Sequence, residues 1–243
     1  LRYLFITSGL ITLDKNFWAL DWTLIRLILK IGLPAVLQQT LVSLSSLAVS
    51  FLVNHFGSTV VAGFGAAARI DQFAFMPAMS IGMAVSSLVA QNLGARKEDR
   101  VTESVRWSSL LGSGITLVIS LFAIFTPALL LYPFTTDPGV LEAGSSYLRY
   151  MGFAYIPLAL MFTLGGVLRG AGDTFIAMLF TLVSLWLIRV PLAAYLSCFT
   201  SFGVSGIWFG IAFSPFVGVI LNYLYYRSGK WRKTIILEQP SSD

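Results

Sequence analysis

Residues 62–106 read AGFGAAARIDQFAFMPAMSIGMAVSSLVAQNLGARKEDRVTESVR. The run from 62 to 93 is mainly apolar, with Arg69 and Asp71 as its charged residues and Gln91 near its end, and after a basic segment the chain is mainly apolar again from 107 to 127. A helix that crosses a bilayer needs about 20 consecutive apolar residues. The stretch therefore predicts two transmembrane helices joined by a short basic turn, and such turns lie on the cytoplasmic side of a membrane.

The composition of the whole chain extends this interpretation. Of its 243 residues, 56% are hydrophobic and only 11% are charged, whereas a soluble domain carries about 25% charged residues. Runs of this length are too long for the strands of a membrane barrel, and a helix satisfies its own backbone in lipid. The sequence predicts an all-α polytopic membrane protein, a bundle of six transmembrane helices at about 32–56, 62–93, 105–131, 140–168, 175–197 and 202–226.

The chain divides into three parts by this pattern. Residues 1–31 are interpreted as the end of a preceding helix plus a cytoplasmic interfacial linker, 32–227 as the transmembrane lobe, and 228–243 as a polar, frayed cytoplasmic tail. Because the chain opens in the middle of an apolar run, we expect it to continue a longer protein. Arg26 and Lys30 share one helical face within 22–31, which is typical of a segment lying along lipid headgroups, although a simple helical lead-in to the first span explains them equally well.

The distribution of lysine and arginine predicts the orientation. Twelve of the sixteen fall in residues 15–30, 96–106, 169 and 227–233, while the turns near 57, 133 and 200 hold none. Positive charge accumulates in cytoplasmic loops, so the 96–106 turn and the tail are expected in the cytoplasm of a protein in the cell (inner) membrane. This asymmetry accounts for the net charge of +5, and no nucleic-acid partner is predicted.

The sequence offers no chemistry typical of an enzyme. Cys198 is the single cysteine and His55 the single histidine, so a cluster of metal ligands or acid–base groups is not expected. The glycine-rich turn at 170–174 has neither the lysine of a phosphate-binding loop nor a strand before it. No cofactor and no metal are predicted.

Four charged residues lie well inside predicted spans, away from their ends: Arg69, Asp71, Arg149 and Arg189. Charges at such depth are costly and normally face protein or water, or extend to the headgroups. One interpretation is that the arginines extend to the outer headgroups and one of them, Arg149 or Arg189, pairs with Asp71. The other is that some of the four line a cavity that opens outward.

Several short motifs, taken together in their order and spacing, resemble the multidrug and toxic compound extrusion (MATE) family. These are Gly-Leu-Pro at 32–34 with Gln-Gln at 38–39, the run 65–77, Gln-Asn-Leu-Gly-Ala at 91–95, Leu-Arg-Gly-Ala-Gly-Asp-Thr at 168–174 and Arg-Val-Pro-Leu at 189–192. The resemblance covers nearly the whole chain and matches the second half of such a transporter. It implies two six-helix lobes around a central cavity and export of amphipathic, often cationic, compounds in exchange for sodium ions or protons.

The chain departs from one branch of that family. In the sodium-coupled branch with acidic residues in this lobe, a Glu lies in the first span and an Asp in the fourth; the corresponding positions here are Val42 and Leu158. Neither side chain binds a cation. The resemblance then implies that the coupling ion, proton or sodium, binds an acidic residue of the N-terminal lobe, which this chain lacks.

The correspondence also indicates which faces line the substrate cavity. Gln38 lies one turn from Val42, and an amide facing lipid is expensive. Methionine and phenylalanine suit promiscuous apolar cations, although in a membrane helix they also serve plain packing. The predicted cavity residues are Gln38, Val42, Phe73, Met76, Ala154, Leu158, Met161 and Phe162.

Three function classes compete. The first is drug export by alternating access between two lobes, with the lipid bilayer, the N-terminal lobe and small amphipathic or cationic molecules as partners. The second is a flippase for lipid-linked saccharides from the same superfamily, favoured if Arg69, Arg149 and Arg189 build a cationic cavity. The third is a membrane assembly subunit that transports nothing.

Overall fold

The computed structural model describes residues 22–233, and all regular structure within that range is helical. Six helices are long and apolar enough to cross a membrane, so the predicted fold class is confirmed. The long helices are α1 (Trp22–Asn54), α2 (Ser58–Gly94), α3 (Glu98–Phe125), α5 (Pro138–Gly170), α6 (Thr174–Cys198) and α7 (Val204–Arg227). The short elements are α4 (Pro127–Leu131) and a 3₁₀ turn (Lys230–Lys233).

Helix α5 is the centre of the bundle. Two-thirds of its most apolar window is buried (67%), against 17% for α1. It packs against α2, α3 and α7, and its glycines permit this. A Cβ atom on Gly82 of α2 would lie 2.7 Å from the Phe162 carbonyl oxygen of α5, and one on Gly63 would lie 2.8 Å from the Gly144 nitrogen. The backbones of α2 and α5 are therefore in direct contact, the small-residue packing typical of membrane helices.

The turns of the bundle gather at two opposite ends. At one end, Arg232 of the 3₁₀ turn forms a 3.2 Å ion pair with Glu98 at the start of α3, and the α5–α6 turn lies nearby. We call this the basic end. At the other, a Cβ on Gly139 would lie 3.0 Å from Thr59 and one on Gly203 3.7 Å from Phe56, so the turns near 57, 138 and 202 meet there. The predicted alternation of turns between the two ends is confirmed.

Two details of the sequence interpretation differ from the structure. The boundary between 31 and 32 falls inside α1, which is continuous from Trp22 through Pro34; both explanations for Arg26 and Lys30 stay predictions. The tail is not wholly frayed, because Trp231 is 1% exposed in a cluster with Val89 and Leu168. Burial of an indole removes a large apolar area from water, and this stabilises the packing of Trp231 although charged residues lie on both sides of it. The predictions for 1–21 and 234–243 lie outside the described residues.

Candidate functional site

A buried carboxylate joins α2 to α5. Asp71 of α2 is 7% exposed, and each of its oxygens accepts a hydrogen bond from a tyrosine of α5. Tyr147 donates to Oδ2 at 2.5 Å and Tyr155 to Oδ1 at 2.6 Å. The two tyrosines are eight residues apart, so they lie on one face of α5 two turns from each other. Hydrogen bonds to an ionised acceptor are short and strong, and these two offset the cost of burying the acid.

Aromatic packing holds one of these donors in place. The ring of Tyr147 meets the edges of Phe64 at 5.2 Å and Trp208 at 5.0 Å between centroids, and Phe64 stacks on Trp208 at 5.4 Å. Trp208 is fully buried on α7. Edge-to-face and offset arrangements are the favourable geometries for such rings. The orientation of the Tyr147 hydroxyl toward Asp71 is therefore fixed by three helices, not by α5 alone.

A cation of α6 lies within electrostatic range of this cluster. Arg189 is near enough to Asp71 for their charges to interact, but no ion pair within 4.0 Å joins them, and the Arg189 Nε is buried without a hydrogen-bond partner. Arg189 ends a π-helical segment, Val183–Arg189, and Pro191 two residues later lacks the N–H that a regular α-helix needs there. Single π-helical turns inside α-helices often occur at functional sites. The cluster thus combines one acid, one base and a locally irregular helix in the membrane interior.

The four intramembrane charges do not form a direct pair. Across residues 22–233, the one ion pair within 4.0 Å joins Arg232 and Glu98, so the predicted bond from Asp71 to Arg149 or Arg189 is absent. Tyrosine hydroxyls occupy the carboxylate instead. Arg149 is exposed, and the guanidinium of Arg69 lies 5.7 Å from the Phe134 ring at the opposite end, as expected of arginines that extend to the headgroups.

The predicted cavity residues are not all on one surface. Phe73 and Met76 of α2 are 64% and 62% exposed, whereas Ala154 and Leu158 of α5 are 0% and 4% exposed. The two buried side chains contact neighbouring helices, so they reach a substrate only if those helices separate. The remaining four are half-buried: Gln38, Val42, Met161 and Phe162. Phe162 meets Phe75 edge to face at 6.1 Å between ring centroids. Their cavity role stays a prediction.

Gln38 connects α1 to α6. Its Nε2 donates to the Thr181 Oγ1 at 2.7 Å and to the Ala177 carbonyl at 3.2 Å. A second polar contact follows one turn along, where Trp186 Nε1 donates to the Leu41 carbonyl at 3.1 Å. The free-energy cost of an unpaired amide in lipid, for which Gln38 was selected from the sequence, is offset here by its hydrogen bonds to α6.

The sequence interpretation missed the two tyrosines that bind Asp71. Their spacing offered a signal, because Tyr147 and Tyr155 are polar groups on one face of an otherwise apolar span. It also missed the π-helical segment, for which Pro191, two residues after Arg189, was the available signal. Which of several tyrosines meets the acid depends on how α2 and α5 cross, and that crossing is set by glycine contacts distant from the site.

The chain is similar in sequence to known membrane proteins. The family model MatE matches residues 34–195. The probable multidrug resistance protein YpnP of Bacillus subtilis (strain 168) is 34% identical over 211 residues, which are 87% of this chain and 47% of that protein. The probable multidrug resistance protein NorM of Thermotoga maritima is 26% identical, over 96% of this chain and 52% of that protein. The chain therefore spans about half the length of the curated relatives it matches.

Solved structures agree in fold. A crystal structure of MATE in the bent conformation has a TM-score of 0.84 at 20% identity, covering 93% of this chain and 51% of that one. The outward-facing conformation of a multidrug resistance MATE family transporter of the MOP superfamily has a TM-score of 0.74 at 21% identity, covering 89% and 48%. At this identity the likeness concerns the fold alone, and it again extends over about half of each solved chain.

Proposed function

The chain belongs to the MatE family, and from that premise we propose that it forms the C-terminal six-helix lobe of a cation-coupled multidrug efflux antiporter that works by alternating access. The observation that carries the proposal is the match of a six-span lobe to half of proteins named for multidrug resistance. The missing partner is then a second, N-terminal six-helix lobe. Amphipathic or cationic small molecules are the proposed substrates.

Helices α2 and α5 form the rigid frame of the lobe in this proposal. Asp71 of α2 accepts hydrogen bonds from Tyr147 and Tyr155 of α5. Alternating access in transporters of this kind is largely a rocking of one bundle against another. A bundle that transmits such motion has to resist internal shear, and the buried hydrogen bonds between α2 and α5 supply that resistance.

The coupling ion is proposed to bind outside this chain. The two positions that are acidic in one family branch are Val42 and Leu158 here, and Leu158 is buried among apolar side chains. Both oxygens of Asp71 already accept hydrogen bonds and a guanidinium lies near, which disfavours a further cation by Coulomb repulsion. An acidic residue of the N-terminal lobe is the proposed site for the proton or sodium ion.

The proposed setting is the cell membrane, with the basic end in the cytoplasm. The flippase alternative is not favoured by the geometry. Arg69 lies near Phe134, Arg149 is exposed and the Nε of Arg189 is buried, so the three arginines lie in different surroundings, which does not support one shared cationic surface.

Ethidium efflux from a host that lacks its own drug pumps tests the proposal. Expression of the full-length protein that contains this chain is expected to lower ethidium accumulation, and dissipation of the ion gradients is expected to reverse the effect. The chain expressed alone is expected to give no ion-dependent export. Export by the chain alone with its ion dependence intact would refute the division of labour between lobes, and no export by the full-length protein would refute the function.

The buried acid gives a sharper variant of the same assay. Asp71→Asn is expected to lower ethidium efflux about tenfold, the scale of a typical coupling free energy, because the charge that orders the tyrosines and Arg189 is removed. Glu142→Gln is the matched control, since Glu142 is an exposed acid. Unchanged efflux by Asp71→Asn at an unchanged protein level removes Asp71 from the transport mechanism.

A further inference from the structure

An open-sided groove lies on the outer surface of the bundle, away from the Asp71 cluster. Helices α3 and α7 both pack on α5 but hardly touch each other, which leaves a space of about 350 Å³ between them. Its floor is Leu160 and Leu164 of α5. Its walls include Val105 and Ser109 of α3 on one side and Ile220 and Tyr223 of α7 on the other.

The groove runs along α7 near the basic end. Its α7 wall extends from Val219 to Tyr226, about 10 Å along the helix axis. The deep part is lined by aliphatic side chains, and the two tyrosines lie where the groove approaches the basic end. Tyrosine is enriched at the headgroup level of a bilayer. The lining therefore changes from aliphatic to tyrosine toward the basic end, in the same order as the acyl chain and the headgroup of a lipid molecule.

Two arginines lie beside the end of the groove that is nearer the basic end. Arg106 lies on α3 between the lining residues Val105 and Ser109, and Arg227 directly follows the lining residue Tyr226 on α7. Both are exposed, and neither has an acidic group within 4.0 Å among residues 22–233. Glu103, one turn before Arg106, is not paired with it, and Glu98 is already engaged by Arg232.

We propose that this groove seats one anionic phospholipid, with an acyl chain along α5 and its phosphate between Arg106 and Arg227. Guanidinium groups match the geometry of phosphate oxygens and bind them in pairs. A phosphatidylglycerol headgroup carries that negative charge without the compensating ammonium of phosphatidylcholine. The cytoplasmic leaflet, which the basic end is expected to face, is where anionic lipids attract such arginines.

Native mass spectrometry of the purified protein with equimolar phosphatidylglycerol and phosphatidylcholine tests the charge part of the site. The wild type is expected to retain one phosphatidylglycerol with a preference of about tenfold. Arg106→Gln with Arg227→Gln is expected to abolish the preference. Lys97→Gln with Arg100→Gln is the matched control, because it removes the same charge from exposed side chains at the same end and is expected to leave the preference unchanged.

A second variant tests the groove itself. Ser109→Trp places an indole in the space between α3 and α7 while both arginines remain, and it is expected to lose the retained lipid with unchanged helical circular dichroism. If the double arginine variant does not fold, Arg227→Gln alone, at the exposed end of α7, is expected to weaken the preference by about threefold. An equal loss in the Lys97/Arg100 control overturns the proposal in favour of general surface charge. So does a retained lipid in Ser109→Trp, or the absence of any preference in the wild type.

Discussion

Two helix pairs in this lobe are joined in different ways. Helices α2 and α5 meet backbone to backbone through facing glycines and share the buried Asp71 cluster. Helices α1 and α6 meet through side chains, chiefly the Gln38 and Trp186 hydrogen bonds. The apolar windows of α1 and α6 are 17% and 11% buried, against 67% for α5.

The difference indicates which part of the lobe can move. A backbone contact between glycines has one good geometry, because neither helix has a side chain that adapts to a shift. A contact through long side chains tolerates displacement, since glutamine and tryptophan can follow a sliding partner. We therefore regard α2 with α5 as the rigid frame and α1 with α6 as the adjustable part of the lobe.

Overpacking the α2–α5 seam has the largest expected effect. A Cβ on Gly166 would collide with the backbone of Gly82, so Gly166→Leu is expected to destabilise the lobe by about 3 kcal/mol or more. Thermal unfolding in detergent, followed by size-exclusion chromatography, measures the loss. Gly114→Leu is the control, because a Cβ on Gly114 meets nothing within 4 Å. Similar losses in both variants would contradict the claim that the backbone contact between α2 and α5 determines the stability of the lobe.

Removing one hydrogen-bond donor to Asp71 has the second-largest expected effect on stability. Tyr155→Phe keeps the ring but leaves one carboxylate oxygen without its partner, and hydrogen bonds to charged groups contribute about 1.5–3 kcal/mol. The free energy of unfolding in mixed micelles is expected to fall by that amount. Tyr195→Phe is the matched control, because Tyr195 is 60% exposed and is expected to be neutral; a neutral Tyr155→Phe would mean that the cluster does not stabilise the frame.

The sequence was sufficient for the architecture but not for the cluster. Six spans and the alternation of turns followed from apolar length and from the positions of lysine and arginine, which depend only on local composition. The partners of Asp71 depend on the register of α2 against α5, and that register is fixed by glycine contacts one or more turns away, such as Gly63 with Gly144. Composition carries no information about register.

The same limit explains the other differences. Helix α1 begins before Gly32 and continues through Pro34, and proline is tolerated within membrane helices. Trp231 was placed in a frayed tail because its neighbours are charged, yet its ring stacks on Tyr226 at 5.5 Å and its Nε1 donates to the Tyr226 carbonyl at 2.9 Å. The assignment of Ala154 and Leu158 to a cavity wall came from a family correspondence, and their burial leaves it a prediction.

The adjustable pair is expected to show the smallest effect. Gln38→Leu loses two hydrogen bonds to α6, and interhelical hydrogen bonds in membranes contribute about 0.6–2 kcal/mol. A loss of about 1 kcal/mol in the free energy of unfolding is expected, smaller than that of Tyr155→Phe. The neighbouring Gln39→Leu, at an exposed position, is expected to be neutral. A larger loss at Gln38 than at Tyr155 would reverse the order of rigidity proposed for the two pairs.

Site-directed thiol labelling tests the central claim, that six helices cross a membrane with the basic end in the cytoplasm. Lys97→Cys and Thr136→Cys, both at exposed turn positions, are made separately in a Cys198→Ser background free of other cysteines. A membrane-impermeant maleimide is expected to label Cys at 136 in intact cells and Cys at 97 only after the membrane is permeabilised. Labelling of both positions in intact cells, or of position 97 alone, would contradict the topology and with it the proposed transporter lobe.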